Sequence, residues 1–216
     1  MTRVYKPMLA VVLVTGGILL ISGHWHDRLL WAYGGVLALT FAYASASMDE
    51  DLARERFHPP NSGADRLSLK FVRLIALTHL IVSALDLGRW HISRIPDSGR
   101  AAALIGMGVS FALVFRSMRE NRFFSAVVRI QSERGHRVID SGPYSIVRHP
   151  GYVGMIAGVP LSALAIGSVL GFVIALVYTA LIVRRVTFED GYLQENLTGY
   201  TAYAQRVRYR LVPGVW

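Results

Sequence analysis

Apolar residues run through this chain in long blocks, parted by short stretches rich in Arg, Gly and Pro, and helix rather than strand is the element this pattern predicts. The first four blocks are Met8–Ser22, Leu29–Met48, Phe71–Leu87 and Ala101–Met118. A helix that crosses a bilayer needs about 20 apolar residues, so each block predicts one crossing. The fifth runs from Val153 to Val183. As one helix it would be about 46 Å long against a hydrocarbon core of about 30 Å, so it predicts two arms of a tight hairpin. Pro160 and the Gly167-Ser168 pair are the places to break it, and the first arm is then short enough to lie partly in protein rather than lipid. Two GxxxG patterns, Gly154–Gly158 and Gly167–Gly171, let two helices approach closely.

Charge orients the six crossings. With both ends on the inner side, seventeen Lys and Arg residues fall in inner segments and only Arg28, Arg89, Arg94 and Arg100 in outer ones. Arg3 and Lys6 precede the first block as in a signal peptide, but no A-x-A-type site follows, so it reads as an uncleaved anchor. Composition agrees: 53% of the residues are hydrophobic and 17% charged, with a positive mean hydropathy. The net charge of +9 does not argue for nucleic acid, because the basic residues sit in the gaps between apolar blocks. The absence of cysteine excludes a disulfide scaffold, a thiolate metal site, a Cys nucleophile and lipidation at Cys. The expected fold is an all-α integral membrane protein of about six transmembrane helices, with a carboxy-terminal hairpin and a short cytosolic interfacial helix. Residues 1–118 would supply four helices and 119–216 a polar loop, the hairpin and the tail, within a single structural unit. The expected location is an inner membrane, with both termini cytosolic.

With no soluble domain, chemistry has to be built on the inner face. One candidate segment is Asp140-Ser-Gly-Pro-Tyr144-Ser-Ile-Val-Arg148-His149-Pro150-Gly-Tyr152-Val-Gly154. Gly142-Pro143 signals a turn, and Pro150 suits a first helical position with His149 at the N-cap. Free N–H groups there would form an anion site. A plain membrane-entry turn with an interfacial Tyr and a snorkelling Arg accounts for any one of these residues, less well for all of them. The other segment is Arg185-Val-Thr-Phe-Glu189-Asp190, in which Arg185 and Glu189 share a helix face at i and i+4. It reads equally well as an exposed ion pair or as a site for a polar, partly cationic ligand. The tail from Tyr200 to Pro213 reads as a basic, aromatic helix along the interface. Asn121-Arg-Phe-Phe-Ser125 could brace the inner site, and His79 and Asp86, inside the third block, are intramembrane ionisable residues of the kind that carry function. No Walker, HExxH, GxSxG or Rossmann pattern is present, and no metal site is expected.

Taken in order, Gly142-Pro-Tyr144, Arg148-His-Pro-x-Tyr152-x-Gly154, a hydrophobic hairpin, Arg185-x-x-x-Glu189-Asp190, Tyr200-x-x-Tyr203 and Pro213 resemble the isoprenylcysteine carboxyl methyltransferase family, which is related to membrane phospholipid methyltransferases. The resemblance covers about Asn121–Trp216, and Glu50–Leu67 looks like the loop that precedes it in bacterial-type members. It implies S-adenosylmethionine as methyl donor, with Tyr144, His149, Pro150, Tyr152, Glu189, Asp190 and Tyr203 around it. It also implies a hydrophobic or amphiphilic acceptor that reaches the site from the lipid. Arg185, with Arg148 as second choice, would hold an anion on the acceptor, and Glu189 would orient the cofactor or act as base. The family commonly has two Glu where this chain has Glu189-Asp190, so Asp190 has the shorter reach. The competing readings are an NADPH-dependent reductase of the sterol-reductase type and a non-enzymatic carrier or assembly factor.

Overall fold

The structure, a computed structural model, describes residues 2–47, 50–57 and 65–216. Among them are eight α-helices and no strand: α1 (Thr2–Ser22), α2 (Arg28–Ser47), α3 (Glu50–Phe57), α4 (Arg66–Leu85), α5 (Asp97–Glu120), α6 (Pro150–Ile166), α7 (Val169–Asn196) and α8 (Tyr200–Arg206). Six of these, α1, α2 and α4 to α7, form the bundle. Arg28–Ala46, Leu67–Trp90, Asp97–Glu120 and Val169–Asn196 are each long and apolar enough to cross a membrane; Met8–Ser22 and Pro150–Ile166 are shorter apolar helices. The expected all-α membrane architecture holds. Its helices run longer than the apolar blocks, and Met48, the expected end of the second, lies outside the described residues. Glu50–Leu67, expected as a loop, contains α3 and the start of α4, with residues 58–64 outside the description.

The long apolar stretch breaks at Gly167-Ser168 alone. Gly167 takes φ +112°, open to glycine at little cost, and its N–H meets the carbonyls of Ala163 and Leu164. Ser168 then caps α7 by accepting from the Gly171 N–H at 2.9 Å. Pro160 does not interrupt α6. It lacks the N–H that would meet the Ile156 carbonyl four residues back, and the Thr179 hydroxyl on α7 donates to that carbonyl at 3.4 Å.

The close approach expected of the GxxxG glycines is made to other helices of the bundle. Gly154 and Gly158 lie against α5, where an added Cβ would meet the Ser110 backbone and the Phe111 ring; Gly171 lies against Ser83 and His79 of α4. The small residues therefore bring each arm close to an older neighbour rather than to the other arm. This is why α6 is buried along most of its length, as its shortness led one to expect.

Polar clasps close one end of the bundle. Asp86, fully buried, accepts from the hydroxyls of Ser93 and Ser168 and from the Ile92 and Ser93 N–H groups. Arg100 pairs with Asp27 at 2.7 Å and donates to the Ala165 carbonyl. Asp86 thus fastens the α4–α5 connection to the hairpin turn. His79 lies further along α4, 3.3 Å from the Ser162 hydroxyl, which also bonds Tyr33. The Arg119–Arg148 segment, the far end of α7 and the tail all gather at the opposite end.

Candidate active site

The turn that starts α6 and the polar extension of α7 meet at that end. The C-terminal tail joins them. The N–H groups of Arg148 and His149 donate to the carbonyls of Tyr209 and Arg210, both at 2.9 Å. Asp190, with no exposed surface, is the hub. It takes Arg148 at 2.7 and 3.1 Å, Arg210 at 2.9 Å, the Tyr200 hydroxyl at 3.0 Å, Gln194 at 2.9 Å and His149 Nε2 at 3.2 Å. Arg148 spends its Nη1 on the carbonyls of Val207 and Arg208.

These contacts revise several expectations. Asp190 is enclosed by protein partners and clamps the tail instead of facing a ligand. Arg148 has four of its five N–H groups engaged within the protein, which leaves little with which to hold an acceptor anion. At the start of α6 the tail's carbonyls take the N–H groups of Arg148 and His149, while Arg148, His149 and Gly151 also line the first cleft. The interfacial helix is also shorter than expected: α8 ends at Arg206, and Tyr200 and Tyr203 are buried at 4% and 1% exposure instead of facing headgroups.

Arg185 and Glu189 do share a face of α7, yet they do not pair directly. The Tyr152 hydroxyl stands between them, donating to Glu189 Oε2 at 2.6 Å and accepting from Arg185 Nε at 2.9 Å. Arg185 is 4% exposed and also donates to the Ala126 carbonyl at 2.7 Å. Glu189 is half-buried and has no cationic partner within ion-pair distance among the described residues.

Tyr152 separates two clefts and lines both. The first, about 740 Å³ counted with its part open to solvent, is walled by Tyr144, Tyr203, Phe123, His136, Val138 and Leu193, with Glu189 at its edge. The second, about 880 Å³ on the same measure, lies between α4 and α7 against Val72, Met155, Tyr178 and Ile182, with Arg185 at its polar end. Burial pushes the Tyr144 and Tyr203 hydroxyls well above the usual phenol range, so both are neutral. Tyr203 donates to the Tyr144 carbonyl at 2.7 Å.

The stretch 121–139 supplies what the sequence reasoning missed. The Asn121–Ser125 motif, expected to brace the inner site, lies between the clefts: Phe123 lines the first, and Phe124 and Ser125 line both. Arg129 pairs with Glu55 of α3 at 2.7 Å, and Ser125 donates to the same carboxylate. Gln131, fully buried, donates to the Phe123 carbonyl. His136 stacks on Phe123, and its Nδ1 accepts from the Gln131 N–H at 3.2 Å, so the neutral ring carries its proton on Nε2. Nothing in the spacing of these residues marks them; only His136 belongs to a residue type that chemistry would single out.

Burial, reinforced by the Arg129 charge, pushes the His136 pKa from 6.5 down to about 4. A depressed imidazole pKa means that the unfolded chain takes up the proton first. This residue's contribution is therefore present above pH 6.5 and is lost as the pH falls from 6.5 toward 4. The thermal midpoint of the wild type is expected to drop more between pH 7 and pH 4.5 than that of His136→Gln; equal drops would show that the ring titrates freely.

A helical membrane protein with a buried Arg–Tyr–Glu relay between an aromatic cleft and an apolar one is the class that fold and site define. Residues 104–195 match the sequence model of the isoprenylcysteine carboxyl methyltransferase family, which bears out the resemblance carried by the motifs. The chain is 31% identical over 88 residues to protein-S-isoprenylcysteine O-methyltransferase B of Arabidopsis thaliana, which covers 40% of this chain and 45% of that protein. It is 27% identical over 143 residues to a probable protein-S-isoprenylcysteine O-methyltransferase of Oryza sativa subsp. indica, over 65% of this chain and 72% of the relative. The Arabidopsis match thus spans less than half of that relative's length.

Proposed function

We propose that this chain is an integral membrane methyltransferase that moves a methyl group from S-adenosylmethionine to a hydrophobic or amphiphilic acceptor. The observation that carries the reading is the position of Tyr152, whose hydroxyl joins Glu189 on the aromatic side to Arg185 on the apolar side. The names of the relatives favour methyl transfer over the reductase reading.

The residues present fit the donor in part. Glu189 offers a carboxylate without a cationic partner among the described residues, suited to hydroxyl and ammonium groups, and Tyr144, Tyr203, Phe123 and His136 offer aromatic surface for a ring or a sulfonium. Asp190 acts one step back, by holding the tail against the start of α6, and His149 lines the donor cleft itself. S-adenosylmethionine supplies an electrophilic methyl group on a cationic sulfur. The chain's part is positional: Glu189 and Tyr152 fix the donor side, Arg185 holds an anionic group of the acceptor, and the apolar walls of the second cleft exclude water. Glu189 serves as base only for an acceptor that must lose a proton. In this reading the site and both ends of the chain face the cytosol, and residues 119–216 form the catalytic region of one structural unit.

Membranes that contain the protein, incubated with methyl-labelled S-adenosylmethionine, are expected to yield a labelled lipid-soluble product, and Glu189→Gln to reduce both the label and S-adenosylhomocysteine binding by about tenfold or more. Wild-type binding and turnover in Glu189→Gln would remove the assigned role.

A further inference from the structure

Arg185, at the polar end of the second cleft, makes an unusual contact. Asp65 stands at the N-cap of α4, where a carboxylate ordinarily accepts from the free N–H groups of the first turn. Its side chain makes no such bond. It lies instead 3.1 Å from Arg185 Nη1. Both Asp65 Oδ2 and Arg185 Nη1 are buried, and among the described residues neither has a partner in hydrogen-bond geometry, so the two charges are close but badly aimed. The rest of the guanidinium is well met, by the Tyr152 hydroxyl and the Ala126 carbonyl. One corner of a buried cation is therefore held by a poorly fitted carboxylate, at the polar end of an apolar cleft.

A buried arginine needs a counter-charge at all times, and a carboxylate on the same chain supplies one at high effective concentration. We propose that Asp65 is a specificity-determining residue: it holds the Arg185 corner in place of an acceptor's anionic head, and an anionic acceptor binds by displacing it. This rests on the acceptor role given to Arg185 above. A small soluble acid has nothing with which to offset the internal competitor. An acid with a long apolar tail gains burial along Val72, Met155 and Ile182 and can displace it. An uncharged amphiphile does not compete with Asp65. The carboxylate thus filters anionic ligands by the size of their apolar part.

The test uses two ligands with the same tail, farnesoic acid and farnesol, and the purified full chain in detergent, with binding measured without turnover. Asp65→Asn is expected to tighten the acid about tenfold and to change the alcohol by less than about twofold. Asp65→Ser, which also removes the charge, should give the same selectivity, and adding Arg185→Gln to Asp65→Asn should abolish it. A purely structural pair would shift both ligands together. That result, an acid affinity that is unchanged or weaker in Asp65→Asn, or loss of the folded state in both Asp65 variants would overturn the proposal. S-adenosylhomocysteine binding on the same samples keeps the two readings apart. If the wild type fails to bind it, the methyltransferase assignment falls, while the acid-to-alcohol ratio still judges Asp65.

Discussion

Replacing Asp190 with Asn is expected to lower stability by about 3–5 kcal/mol, the range seen when one partner of a buried charge cluster is removed. The side chain keeps its size and loses only its charge, so the loss measures electrostatics and not a cavity. Arg148 and Arg210 would be left without the carboxylate they share, and Tyr200 and Gln194 would lose a charged acceptor. Because the same cluster ties the tail to the start of α6, the carbonyls of Val207, Arg208, Tyr209 and Arg210 should loosen with it. The expected result is a large fall in the thermal unfolding midpoint, together with protease cleavage between Arg206 and Trp216. The neighbouring Glu189→Gln should change stability little, since Glu189 has no ion-pair partner among the described residues. If the two variants lose similar stability, Asp190 does not clamp the tail.

Tyr152→Phe should cut turnover by about one to two orders of magnitude while leaving the fold intact. The hydroxyl is bonded on both sides by ionised groups, and hydrogen bonds to charged groups are each worth about 1.5–3 kcal/mol. At about 1.4 kcal/mol per tenfold in rate, loss of one such bond in the reacting arrangement reaches that range. The ring stays, so the wall between the two clefts keeps its shape. Under the proposed reaction the variant should lose kcat more than donor affinity, because the relay's task is to hold Glu189 and Arg185 in register with each other. Steady-state kinetics with the donor and the acceptor varied separately would show the difference, and a turnover equal to wild type would reject the relay.

What could be read from the sequence follows from what has a period or a punctuation mark. Long apolar blocks and the Gly167-Ser168 break gave the helices and the hairpin, because backbone hydrogen bonding and chain length allow few alternatives. The convergence of the Arg148–Tyr152 strip with the start of the polar part of α7 was also legible, through its ordered motifs. Pairing was not. Arg185 and Glu189 are four residues apart on one helix, which says they are neighbours but not that a tyrosine thirty-three residues earlier comes between them. Asp190 looks like Glu189's equal in the sequence. The turn of α7 gives one residue to the cleft and the other to the interior, and only the packed structure tells which. The GxxxG patterns announced close approach and were silent about the partner. Phe123, Gln131 and His136 lie in irregular chain, where side-chain direction has no period to betray it. Glu55 and Asp65 act on residues more than seventy positions away, and such contacts leave no local trace.

The unequal lengths of the hairpin arms have a further consequence. α6 has 17 residues and α7 has 28, so at about 1.5 Å per residue they measure roughly 26 and 42 Å from a shared turn. Counted from that turn, Tyr152 and Arg185 stand at a depth of roughly 22 to 25 Å, short of the about 30 Å thickness of the hydrocarbon layer. With the turn at one face of the bilayer, the proposed reacting centre would sit beneath the rim of the opposite leaflet. Under the proposed function a lipid-borne acceptor would then need no lifting out of its layer, and the water-soluble donor would be the one to come down to meet it.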